Sequence, residues 1–170
     1  AEAAGQLGVA REDIVDFTKT MVMLGETTNL TADEAATSIA QMANVMRTAP
    51  EDVDNLGAAL VALGNDGAST EAQILQMAQR ISGAGAQIGL AESEILAIAN
   101  AAASMGIEAE AGGSAISRIF TELAKATAQG GPKLEQFAQL AGMTADEFTR
   151  LFESSPAQAF AAFTSGLDRL

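Results

Sequence analysis

Cysteine, histidine, tryptophan and tyrosine are all absent from this chain of 170 residues. Without cysteine no disulfide can form. The thiolate and imidazole ligands of the usual zinc, copper and haem sites are missing as well. Without histidine the chain lacks the side chain best matched to proton transfer near neutral pH, and no Ser-His or Cys-His nucleophilic pair can be built. The lack of cysteine leaves the compartment open, because such a chain tolerates any redox state. Basic residues are few: nine Lys and Arg stand against 22 Asp and Glu, a net charge of -13. Nucleic-acid binding draws heavily on phosphate neutralisation, so no direct nucleic-acid contact is expected, and anionic membrane surfaces should repel the chain. The charge reads as a solvated acidic surface that maintains solubility.

Long apolar runs are missing too. The longest, around Ile95 to Ile107, is broken by Asn100 and Ser104. It falls short of the roughly 20 residues a membrane span requires, so no span is expected in this segment. The start, Ala1-Glu2-Ala3-Ala4-Gly5, has neither an initiator methionine nor a basic stretch leading into an apolar one. The other end, Gly166 to Leu170, stops inside a helical pattern, and the segment is expected to be a piece of a longer chain.

What is present is alanine-rich apolar sequence. Hydrophobic residues make up 48% of the chain and aromatics only 4%. Alanine has the highest helix propensity and buries little area, which predicts many closely packed helices with thin seams. Helical periodicity dominates and no stretch alternates like a strand. Ile14, Phe17, Met21 and Leu24 recur on one face, with a stop permitted at Gly25. Thr31-Ala32-Asp33-Glu34 is a capping box opening a helix with Ala35, Ile39, Met42 and Met46 on its stripe. Pro50, followed by Glu51 and Asp52, begins the next helix, with Val53, Leu56, Leu60 and Leu63 inward.

Gly64-Asn65-Asp66-Gly67 is a turn signal. Thr70 and Gln73 then cap a helix lined by Ile74, Met77, Ala78, Ile81 and Ile88. A Ser-Gly-Ala-Gly-Ala interruption at Ser82 to Ala86 follows, where Gly83, Gly85 and Gly89 either end that helix or admit a close neighbour. Ala91 to Glu94 starts another, with Ile95, Ile98, Ala99 and Ala102 inward and Gly106 as its close. A further helix starts around Glu108 to Glu110 and runs through Ile116, Ile119, Phe120 and Leu123. Gln129-Gly130-Gly131-Pro132 is the clearest break. Beyond it, Phe137, Phe148, Phe152, Phe160 and Phe163 concentrate the aromatics. Thr144 to Glu147 repeats the earlier capping box, and Pro156 opens a last helix with Phe160, Phe163 and Leu167 inward. The chain is therefore expected to be all-α: a compact multi-helix bundle or array of about eight short-to-medium helices with no sheet. The break divides it into a larger helical region, residues 1–129, and a smaller Phe-richer segment, residues 130–170.

The helix-start motif occurs three times, at Leu30 to Glu34, Leu90 to Glu94 and Met143 to Glu147, with spacings of about 60 and 53 residues. Those spacings exceed common solenoid periods, and recurrent capping chemistry explains them better than a repeat array. No motif carries catalysis. Glu108 and Glu110, two apart on a helix, point to different sides and suit the positive end of the helix dipole. Asp52-Val53-Asp54-Asn55 and Asn65-Asp66-Gly67 lack the twelve-residue spacing of a calcium loop. Gly85 to Gly89 has the small-xxx-small spacing of close helix contacts. Gly112-Gly113-Ser114 has no Lys-Ser/Thr continuation and is no phosphate loop. Met21, Met23, Met42 and Met46 fall mostly on apolar stripes and read as core. No catalytic, cofactor-binding or metal-ligating residue is assigned, and no cofactor is expected.

The stretch Leu63 to Arg118 resembles the core region of tail tape measure proteins of long-tailed bacteriophages and prophages. The likeness rests on the order of four pieces. These are the helix start at Ser69-Thr70-Glu71, the glycine-rich Ser82 to Ala86, the second start at Ala91 to Glu94, and Met105-Gly106-Ile107-Glu108-Ala109-Glu110-Ala111-Gly112-Gly113-Ser114. An earlier match runs through Leu7-Gly8-Val9, Phe17, Leu24 and Leu30 to Ala36, and the likeness fades beyond Gly130. The resemblance implies a structural, non-enzymatic protein inside the tail tube whose length sets tail length, leaving ahead of the DNA at infection. It implies tail tube, tail initiator and assembly-chaperone partners, possible self-association, and residence in the host cytoplasm during assembly. A straight helix of 170 residues would reach about 255 Å, yet helix stops recur every 15 to 25 residues, so the isolated segment is expected to fold compactly. Two other readings stay open here: a non-viral helical interaction module, such as part of a secreted effector, and a fragment of a helical cell-wall hydrolase.

Overall fold

The computed structural model describes residues 11–49 and 52–167. The expected helix start at Pro50 and Glu51, and the Leu7-Gly8-Val9 match, lie outside the described residues. Among those residues the chain is all-α, with nine helices and no strand. They are α1 (Ile14–Thr27), α2 (Ala32–Met46), α3 (Val53–Asp66), α4 (Glu71–Gln87), α5 (Glu92–Ser104), α6 (Ala109–Gln129), α7 (Pro132–Ala141), α8 (Ala145–Ser154) and α9 (Pro156–Leu167).

Local hydrogen bonding sets the helix starts. The Thr31 hydroxyl accepts from the Glu34 N–H at 3.2 Å, and the Glu34 carboxylate accepts from the Thr31 N–H at 2.9 Å. Thr70 with Gln73, and Thr144 with Glu147, repeat the exchange. Each satisfies two N–H groups that the first turn leaves without helical partners. Ala91 has no side-chain oxygen, so only the reverse half forms there: Glu94 accepts from the Ala91 N–H at 2.9 Å. Proline opens α7 and α9, where its missing N–H has no cost.

The helices run past Gly25 and Gly64, where a stop and a turn were expected, and of the two alternatives left open at Gly85 the structure takes the close neighbour. The α4 helix runs unbroken through Ser82 to Ala86 and ends at Gln87, and Gly89, at φ 83°, turns the chain. A mid-helix glycine costs about 1 kcal/mol against alanine. Burial of Ile74, Leu75, Met77, Ala78 and Ile81 along the same helix outweighs that cost. Gly85 serves as a gap: a Cβ there would lie 2.8 Å from Ile95 Cδ1. Similarly, α1 continues past Gly25 to Thr27, and Gly25 leaves room for the backbone of Ala32, 2.9 Å from where a Cβ would stand. The turn expected at Gly64 begins only at Gly67, and the Glu71 side chain fills the space beside Gly64.

Helix α4 lies at the centre. It packs against α6 and α5 most extensively, then against α2 and α3. Its buried residues share one apolar cluster with Phe17, Met21, Leu24, Ile39, Met42 and Leu60 of the first three helices and with Ile95, Leu96 and Ala99 of α5. A second cluster joins Leu134, Ala138, Phe148, Phe152, Ala159 and Phe163 of α7 to α9. Helix α6 serves both, giving Phe120 to the first and Leu123 and Ala126 to the second. Leu167, expected inward, is 41% exposed at the end of α9. That helix presents Phe163 and Gly166 to its neighbours instead, and Phe160 meets Phe120 edge-on at 5.1 Å between ring centroids.

Candidate interaction surface

The described surface has two kinds of feature that could meet another molecule: shallow clefts between helices and apolar side chains facing out. One cleft of about 200 Å³ lies where α4 faces the turn from α5 to α6, lined by Gln73, Gln76, Ala103, Ile107 and Glu108. Another, of about 190 Å³, is lined by Thr48, Asp52, Asn55, Leu56 and Glu92. Its polar groups are occupied with one another. The Thr48 hydroxyl donates to Glu92 at 2.6 Å, and the Asn55 amide donates to Asp52 at 3.3 Å. A third, of about 290 Å³, is lined by Gln87, Ile88, Ala124, Thr127, Phe152 and Glu153.

The apolar exposure is concentrated on α1, where Val15 is 61% exposed, Met23 63% and Val22 45%. Val15 and Val22 are two helical turns apart and share the face opposite Phe17, Met21 and Leu24. The Asp16–Lys19 ion pair, at 2.8 Å, lies on that outer side and is itself exposed. The pair raises the Lys19 pKa, chiefly through the hydrogen bond to Asp16. Val45 at the end of α2, and Met105 and Ile107 in the turn before α6, are exposed as well. Scattered exposed apolar residues are ordinary on a folded surface; it is their grouping along one helix face that marks α1.

The carboxylates of interest in the sequence have structural roles. Glu108 stands at the start of α6 without a side-chain cap, and Glu110 lies in the first turn, near the helix dipole's positive end. Asp54 accepts from the Thr20 hydroxyl and so ties α3 to α1. Glu34 and Glu147 are held below the usual carboxylate pKa by the Thr31 and Thr144 backbone N–H groups they accept from. Glu122 is held low by Lys133, which donates to it from the start of α7. Among the described residues no three acidic side chains converge to hold a metal ion.

Gly112 and Gly113 are buried within α6. A Cβ at 113 would meet the Arg80 side chain at 2.6 Å, and the Ser117 hydroxyl donates to the Arg80 carbonyl at 3.0 Å. These glycines are what brings α6 onto α4. Of the four methionines expected in the core, Met21 and Met42 are there, Met46 is half-buried and Met23 faces out. Two features escaped sequence reading. The first is the apolar face of α1, whose residues fall off the inward stripe. The second is a polar knot: the Ser69 hydroxyl, 4% exposed, donates to Asn100 at 2.6 Å and lies 3.2 Å from the Ser104 hydroxyl. The break of the apolar run at Asn100 and Ser104 was its only signal.

A family model described as phage-related minor tail protein matches residues 1–170, the whole chain. The chain belongs to that family. No curated protein and no solved structure matches it. As a phage-related minor tail protein it has a structural role in the tail, is associated with the virion and works among other tail proteins. No helix among the described residues is long and apolar enough to cross a membrane.

Proposed function

We propose that this minor tail protein segment is part of a tape measure: it helps set tail length and scaffolds assembly of the tail tube, from inside the tube. Membership of a phage tail family along the whole chain is the observation that supports this most, together with the ordered pieces from Leu63 to Arg118. Its partners are the tube, initiator and assembly-chaperone proteins, met first in the host cytoplasm, and it leaves the tail with DNA ejection. The segment is not an enzyme in this reading. The carboxylates of the second cleft are engaged by neighbouring side chains, Glu92 by the Thr48 hydroxyl and Asp52 by the Asn55 amide. Membership of the tail family leaves the non-viral interaction module without support.

The reading has a physical requirement. The longest described helix, α6, has 21 residues and spans only about 32 Å at 1.5 Å per residue. Folded as described, the segment is a poor ruler; it acts either as a compact end piece or after its helices have separated. In-frame removal of α7 to α9 from the full-length protein, with tails measured by electron microscopy, tests this. Shorter tails would support a segment that spans the tube. Unchanged tails with altered infectivity would place its role at an end, and unchanged tails with unchanged infectivity would overturn the proposal.

A further inference from the structure

We propose that the fold contains a joint inside α6, between Phe120 and Leu123, about which two lobes open independently. The first lobe is α1 to α5 with the N-terminal half of α6. The second is α7 to α9 with its C-terminal half.

Three observations carry this. First, the buried apolar residues fall in two clusters, and the division crosses α6 between Phe120 and Leu123. Second, the principal helix pairings never join α1 to α5 with α7 to α9. Each of α7, α8 and α9 instead packs against the other two, and α6 packs against α7. Besides α6, the apolar packing between the two clusters runs through the Phe120–Phe160 edge contact, Ala157, and Ile88 at the end of α4. Third, an open cleft separates part of the two lobes beside α6. The cleft of about 290 Å³ lies between Gln87 and Ile88 of the first lobe and Phe152 and Glu153 of the second, over Ala124 and Thr127 of α6.

A cooperative unit is held together by the packing it must give up on opening, and units that share little packing open separately. Opening the second lobe sacrifices its own small cluster and the bridge at Phe160, and leaves the α2, α4 and α5 core covered. The first lobe holds the larger apolar cluster, so the second opens first. In a tail protein, lobes that open one at a time would let the chain lengthen in two steps.

Hydrogen exchange read by mass spectrometry on the whole chain tests the joint. Amides of α7, α8 and α9 should exchange as one group, about tenfold or more faster than the slowest amides of α2, α4 and α5. Because the chain has no cysteine, Gln87→Cys and Glu153→Cys would supply its only thiols, both exposed and both on the cleft. Joining them with a short bismaleimide should merge the two groups into one. A single exchange group in the unlinked protein would overturn the joint. So would a fast α7 to α9 group that persists after linking, because that is fraying within the lobe and needs no separation from the first.

Discussion

Gly166 of α9 lies directly against the carbonyl oxygen of Leu140 in α7, leaving no room for a side chain. Two helix backbones meet at this point, so the neighbour is a peptide group and not a flexible side-chain end. Gly166→Ala must push α9 away from α7, and overpacking of that kind costs about 1–3 kcal/mol. A thermal melt should show the variant less stable than the parent, whereas Gly83→Ala, where a Cβ meets open space, should be neutral or stabilising. Equal melting temperatures for Gly166→Ala and the parent would contradict this packing.

The polar knot under α5 makes a second test. Asn100→Ala removes the acceptor that Ser69 uses at 2.6 Å, leaving a buried hydroxyl with only Ser104 within reach. Loss of a buried partner costs about 1–3 kcal/mol. Adding Ser69→Ala should return part of that loss, because no donor is then left stranded. Urea denaturation of both single variants and the double variant measures the coupling, and strictly additive effects would show that the knot holds nothing.

Acid should loosen α2 and α8 before neutral-range pH changes do anything. Glu34 and Glu147 have their pKa values lowered from the ordinary carboxylate value in the fold because each accepts a backbone N–H bond at a helix start. A carboxyl depressed by folding contributes stability that is fully present above its unfolded pKa and is lost as pH falls through its folded one. The denaturation midpoint should therefore be flat above pH about 5 and should drop below pH about 4.5. Glu34→Gln with Glu147→Gln should flatten that drop, since Gln73 makes the same cap without a titrating group. An unchanged acid slope in the double variant would assign it to other carboxylates.

Small-angle scattering separates the folded segment from a rod. A compact chain of 170 residues has a radius of gyration of about 16 Å. A straight helix of the same length, about 255 Å, would give about 74 Å. A value of about 20 Å or below is expected for the isolated segment. A value approaching that of the rod would show that its helices do not pack as described.

What could be read from the sequence alone was whatever a few neighbouring residues settle among themselves. Alanine content and three-to-four spacing made the chain helical. Thr31, Thr70 and Thr144 marked starts because their partners are three residues away, and Gly106 and Gly130 marked ends because a positive φ is a local demand. The expectation that no reactive site is present rested in the same way on residue types that are missing. Gly25 and Gly64 looked like a stop and a turn, and Gly85 was open between a stop and a close neighbour; which of these a glycine does depends on Ala32, Glu71 and Ile95, which only the packed chain brings there. The outward turn of Leu167, the apolar face of α1 and the sharing of α6 between two cores were likewise decided by tertiary structure. Each depends on which helices lie alongside, and an amphipathic stripe shows which face is buried without showing what covers it.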